Sequence, residues 1–411
     1  MEAEVMTAMR MRILIVLAVL MVSACGRVSQ AAPGSGYRLY EAAARQDAPI
    51  VALIDTRSHE AQSRLPLGVP SPDWTRYYAA SSSSLLVLDP QTGVTQARIP
   101  LRGDYLLPPV TNSGMLGGLS HNGRWLVLER FDRQAQNTAR ASHFLVFDTS
   151  TMNVRRSIDL DGYFQFDAIS NDGERMFLIQ FINGTDYHVR DFSVSGGVLD
   201  PSFVIDKYDG DAAMNGLKLS GLASPDGAWL YSVYARAHKG AFIHALFLDG
   251  TLAFCLDLPG KGFDDGDSSS LAWSLALSPG GNRLYAVNPV LGVVTEVITS
   301  NSPEVARTAY AGEPSHVWPA GAVMSADGQT LVMAGPAGIT WLDTIALKPK
   351  GQALTAWTVR SLALSPDGAT LYALNDAGEV AELSMAGHSV TTTFDPSIAH
   401  PIALMRVEAL P

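Results

Sequence analysis

Cysteine is nearly absent from this 411-residue chain, which carries only Cys25 and Cys255. Cys255 lies in the apolar run "TLAFCLDLP" and reads as a small buried hydrophobe. Basic charge is also scarce: 29 Lys and Arg stand against 40 Asp and Glu, a net charge of −11. That balance excludes the cationic surface by which a nucleic-acid binder displaces counterions. Charged residues make up 17% of the chain and hydrophobic ones 47%, enough for a large buried core and too apolar for a disordered chain. Helical periodicity is missing, since no long run after residue 45 repeats its apolar positions every three or four residues; this excludes a helical solenoid. Local catalytic signatures are missing too. The chain has no Gly-x-Ser-x-Gly elbow, no Cys-x-x-Cys-His haem motif, no glycine-rich phosphate loop and no histidine pair at zinc-helix spacing.

Long apolar runs are confined to the start. "MRMRILIVLAVLMVSAC" places Arg10 and Arg12 before an apolar stretch over 13–22 and small residues before Cys25. This order, and a stretch too short to span a bilayer comfortably, predicts an export signal over residues 1–24. Val22-Ser23-Ala24-Cys25 resembles the bacterial lipobox. The resemblance implies cleavage before Cys25 and a diacylglycerol on its thiol, an anchor made stable by several acyl chains. An acylated Cys25 leaves no partner for a disulfide, so the fold must hold by packing. Residues 25–48 are expected to form the anchor and a flexible Gly-, Ser-, Ala- and Pro-rich tether, with one or two helical turns over 39–45, and the folded domain is expected over 49–411.

What the chain has in abundance is one repeated phrase. "LALSPDGATLYALN" ends at Asn375, "LALSPGGNRLYAVN" at Asn288, "LASPDGAWLYSVY" at Tyr234 and "ISNDGERMFLIQ" at Gln180. Looser copies surround Ser71, Ser120 and Ser325. Each copy sets an apolar run, a Ser-Pro-Asp-Gly-like turn and a second apolar run, which is a β-hairpin. Proline presets φ, aspartate accepts from the backbone and glycine takes positive φ. The copies recur at intervals of roughly 40 to 55 residues, and two further strand candidates follow each hairpin, which is the period of a four-stranded propeller blade.

Units such as "SLALSPDGATLYALN", followed by "GEVAELSMAGHSVTTTF", resemble the YVTN-type β-propeller repeats of bacterial surface and periplasmic proteins, over about residue 50 to the C-terminus. The tryptophan-aspartate ending of WD40 repeats and the tryptophan-docking motif of quinoprotein dehydrogenases are missing. Seven hairpin units predict an all-β, seven-bladed propeller of four-stranded antiparallel blades. The alternative is eight blades with one split between the termini, because "VALIDTRSHEAQSRLPLG" at 51–68 looks like two outer strands and "HPIALMRVEAL" at 400–410 like a lone inner one.

Propellers display their sites on loops at the mouth of the central channel. His316, in "AGEPSHVWPAG", resembles the channel histidine of some propeller repeats, with an extra serine interposed. Trp318, Trp273 and Trp357 hold comparable places before their turns and are candidate mouth residues beside it. Asp206, Asp209 and Asp211, and Asp264, Asp265 and Asp267, are weak candidates for a structural calcium, since hard cations take several carboxylate oxygens. No cofactor is predicted beyond that ion. The expected function is a non-catalytic binding or scaffolding module at the bacterial cell envelope, held to the outer face of the cytoplasmic membrane, or to an outer membrane, through Cys25. Its expected partner is an envelope protein or a small polar ligand, with no nucleic acid. The alternative is a channel-mouth enzyme, a lactonase-like hydrolase, or a propeller subunit supporting an envelope oxidoreductase; scattered channel residues would leave no local motif.

Overall fold

The computed structural model describes residues 36–44, 48–81, 83–111, 114–133, 139–183, 186–206, 210, 212–264, 268–311 and 321–410. The expected signal segment and Cys25 lie outside them. Among the described residues no helix is long and apolar enough to cross a membrane.

The repeated phrase folds as its turn chemistry dictates. In the copy at Ser325, the serine hydroxyl donates to Asp327 Oδ1 (2.6 Å) and accepts the Thr330 N–H (2.9 Å), closing the turn from both sides. The copy at Ser365 repeats this geometry at 2.5 and 2.9 Å. Neighbouring turns also interlock. A Cβ on Gly281, where φ is +70°, would lie 2.5 Å from Pro225 of the preceding turn, and one on Gly123 would lie 2.5 Å from Pro72. The proline of one turn therefore fills the space left by the glycine of the next. Ser71 opens the one copy without glycine; there Trp74 takes φ of 56° itself.

These hairpins build the inner half of seven blades. Blade 1 comprises Val69–Pro70, Tyr77–Ser81, Ser84–Leu88 and Thr95–Pro100. Blade 2 has Trp125–Arg133, Ala139–Asp148 and Asn153–Asp161, with its inner edge contacted through single bridges at Leu106 and Leu119. Blade 3 runs Phe164–Ile169, Arg175–Phe181, Asp186–Ser193 and Val198–Phe203, and blade 4 Leu217–Ala223, Trp229–Ala235, Phe242–Phe247 and Leu252–Asp257. Blades 5, 6 and 7 start at Ser274, Gly321 and Val359 and are regular four-stranded meanders.

An eighth sheet corrects the expected count of seven. It has the order Glu60–Pro66, Ile50–Asp55, Tyr37–Ala43, Pro401–Ala409, so its inner strand comes from the C-terminus and its other three from the N-terminus. The two ends pair antiparallel from Tyr37↔Ala409 to Ala43↔Pro401. Counting turns missed this blade because its inner two strands are joined by no turn at all, whereas the alternative of an eighth blade split between the termini, read from 51–68 and 400–410, agrees with it. The helical turns expected over 39–45 are replaced by the strand Tyr37–Ala43, which lies ahead of the domain start expected at 49. Alanine-rich sequence favours a helix locally, but a strand buried along most of its length between two neighbours outweighs that preference. Joining the termini pairs both chain ends within one sheet and closes the ring of blades.

The core lies between blades rather than within them. One cluster joins Trp229, Val233 and Phe254 of blade 4 to Leu284 and Val297 of blade 5, and another joins Val332 and Trp341 of blade 6 to Leu371 and Leu383 of blade 7. Between blades 3 and 4 the packing, built on Phe177, Val189 and Leu246, is interrupted towards one end by a cavity.

Candidate functional site

That cavity measures about 930 Å³. Its walls are the inner strands of blades 3 and 4, their second and third strands, and, from the connection between the two blades, Val204, Asp206, Gly210 and residues 212–216. Aromatic rings line it: Phe166, Phe181, Tyr187, Phe203, Tyr234 and Phe242 all contribute. Several form a continuous series. Tyr163 stacks on Phe181 at 4.8 Å, Phe181 meets Tyr187 at 6.1 Å, Tyr187 meets Tyr234 at 5.8 Å, and Tyr234 stacks on Phe242 at 5.4 Å.

An acid and a base stand among these rings. Asp167 interrupts the apolar strand "FQFDAI", and Lys218 interrupts "LKLSGL" in the neighbouring blade. Lys218 Nζ donates to Asp167 Oδ1 at 2.6 Å, with side chains only 15% and 1% exposed respectively. Asp167 is the extra residue of a β-bulge, since Phe166 pairs with Leu178 and Ala168 with the adjacent Phe177. A second bulge follows Lys218, between its pairing with Tyr234 and that of Ser220 with Val233. Bulges re-aim single side chains within a regular sheet, and here one stands at or beside each charged residue. The Asp167 Oδ2 atom is buried and has no hydrogen-bond partner among the described residues.

Burial controls the titration of the wall. It raises the Tyr187 and Tyr234 phenols well above their ordinary range, and the Asp167 charge adds to the effect in both. The pKa of His244, buried behind the wall, is lowered by desolvation, which disfavours its charged form. Cys255, expected as core, is half-buried on the cavity wall, opposite His244 in the sheet. At the mouth, His238 Nδ1 is hydrogen-bonded to Asp264 Oδ2, with the His238 side chain 84% exposed. Arg236, also on the wall, donates to the Gly240 carbonyl and to Asp257, each at 2.6 Å.

The residues singled out from sequence are dispersed. His316 and Trp318 lie outside the described residues, as do Asp209, Asp211, Asp265 and Asp267. Trp273 is buried in the core between blades 4 and 5, and Trp357 is half-buried against the core between blades 6 and 7; neither lines the cavity. Asp206 is on the cavity wall and Asp264 holds His238 at its mouth. Among the described residues, no three His, Cys, Asp or Glu side chains are grouped to hold a metal ion. Sequence reasoning passed over Asp167 and Lys218, although a charged residue in the middle of an apolar inner strand was the available signal.

No protein-family model matches the chain, and no curated protein does. Solved structures do. Apo AztD from Citrobacter koseri superposes with a TM-score of 0.55 at 11% identity, covering 91% of this chain and 98% of that one. The dihydro-heme d1 dehydrogenase NirN, in complex with DHE, gives 0.54 at 13% identity, covering 92% of this chain and 76% of its own. The periplasmic gluconolactonase PpgL of Pseudomonas aeruginosa is a looser match, 0.45 at 16% identity, over 92% of this chain and all of that one. At such identities the likeness shows the β-propeller fold and nothing narrower.

Proposed function

We propose that this chain is an exported, lipid-anchored propeller of the bacterial cell envelope that binds a small ligand in the cavity between its third and fourth blades. The observation that carries the binding reading is the cavity itself. At about 930 Å³ it has the size of a small-molecule site, and it combines aromatic walls with a few convergent polar groups. A buried ion pair opening on such a space gains nothing for packing, because desolvation costs about as much as the pair returns. Export and anchoring rest on the order of charges, apolar residues and Cys25 at the N-terminus.

Thermal-shift fractionation of a periplasmic or envelope extract tests the binding reading. A fraction should raise the melting temperature of the purified protein more than that of Leu217→Trp, which sets an indole on the cavity wall and narrows it. An extract that stabilises both equally, or neither, counts against it. The His238–Asp264 hydrogen bond favours a second reading, a hydrolase, because a carboxylate holding one imidazole nitrogen is how a general base is oriented. Lactone hydrolysis that disappears in His238→Ala would select that reading.

A further inference from the structure

Resting on the binding reading, the polar groups inside the cavity define what its ligand must present. Asp167 and Lys218 neutralise one another at 2.6 Å, so a ligand charge brought beside them would be opposed by one of the two. Each retains unused capacity of opposite kind. Among the described residues Asp167 Oδ2 is an acceptor with no donor, on a side chain 1% exposed. Lys218 has three N–H donors, and among the described residues its one hydrogen bond is to Asp167. A buried acceptor left unmade is costly, which favours any occupant that supplies its donor. Around this pair stand flat aromatic walls, Phe166, Tyr187, Tyr234 and Phe242 among them.

We infer that the cavity takes a neutral, planar heterocycle carrying a cyclic amide edge, whose ring N–H donates to Asp167 Oδ2 while the adjoining carbonyl accepts from Lys218 Nζ. The rings of the wall cover its faces, as offset or edge contacts between aromatic groups require. A purely apolar ligand would leave both polar atoms unmade. A free cation would meet the ammonium of Lys218, and a free anion would meet the carboxylate of Asp167. A neutral amide edge satisfies both groups without adding charge, and its planarity suits the flat aromatic walls.

The test uses the full mature protein and two probes, lumazine, whose two ring N–H groups each adjoin a carbonyl, and 1,3-dimethyllumazine, in which both N–H groups are replaced by N-methyl. Titration calorimetry should show lumazine binding to the wild type. Methylation of the probe should weaken binding by about tenfold or more, the size of one hydrogen bond to a charged group. Asp167→Asn should lose a similar factor, and Leu217→Trp, which narrows the cavity, should also weaken binding. The methylated probe keeps the test independent of whether Asp167→Asn folds. Equal affinity for both probes overturns the amide-edge inference, and loss in Leu217→Trp would then leave the cavity reading standing. Undiminished binding to Leu217→Trp overturns the cavity reading itself. No binding of either probe to the folded wild type also overturns the inference, while the extract experiment continues to judge the cavity.

Discussion

Replacing Glu41 with glutamine should reverse part of the pH dependence of stability. Glu41 lies in the seam strand Tyr37–Ala43, paired with Ala52 on one side and Leu404 on the other, and is fully buried. Neither carboxyl oxygen has a hydrogen-bond partner among the described residues. Desolvation, reinforced by the nearby charge of Asp395, raises its pKa from 4.5 to about 8. At about 1.4 kcal/mol per pH unit, that rise sets a ceiling of about 5 kcal/mol on the penalty for charging it in the fold. Below about pH 4.5 the proton is held in folded and unfolded chains alike, so Glu41 adds no slope. Between there and about pH 8 only the folded chain holds it, and stability falls as pH rises; above about pH 8 the loss is complete. Glutamine cannot ionise, and its buried amide adds only an offset that does not change with pH. The stability of Glu41→Gln minus that of the wild type should therefore grow by about 3 to 4 kcal/mol from about pH 5 to pH 8. Urea unfolding followed by tryptophan fluorescence across that range measures it. A difference that stays flat with pH would refute the buried, unpartnered placement of Glu41.

Three other perturbations have expected outcomes. Trp74→Gly should destabilise the protein by about 2 kcal/mol although it relieves a positive φ, because it removes a ring tilted against Tyr40 at 4.8 Å and under the Arg406 guanidinium at 4.6 Å; a gain in melting temperature would contradict this. Gly281→Ala should cost about 2 to 3 kcal/mol, and combining it with Pro225→Ala should recover part of that loss, since the new methyl would meet that proline at 2.5 Å; denaturant unfolding of the double-mutant cycle reads the coupling, and strict additivity would contradict the interlock. Cys25→Ser should move the protein from the membrane to the soluble fraction of lysed cells, whereas unchanged membrane association would contradict acylation as the anchor.

The repeated turn made most of the propeller legible, because its chemistry is local. Ser325, Asp327 and Thr330 lie within six positions, and the hydrogen bonds among them follow from the residue types. The eighth blade was harder to read, since its inner pairing joins Tyr37 to Ala409 and no local signal spans that distance. Tyr37–Ala43 was obscured further by alanines, whose helical preference counts only where tertiary burial does not compete. The site was the least legible part. Asp167 and Lys218 are 51 residues apart and meet because adjacent blades set two inner strands side by side. Whether a charge in an inner strand faces water or its neighbour depends on a bulge, which sequence does not announce. Attention to histidines and acidic loops found only the edges of the cavity, at Asp206 and Asp264.

The most direct measurement is native mass spectrometry of the protein isolated gently from the cells that produce it, alongside Leu217→Trp isolated in the same way. The wild type should carry one bound small molecule, released on unfolding with the mass of a neutral heterocycle, and the narrowed variant a smaller bound fraction. A wild type that flies at its apo mass after gentle isolation, or a variant with the same bound fraction as the wild type, would contradict a binding cavity between the third and fourth blades.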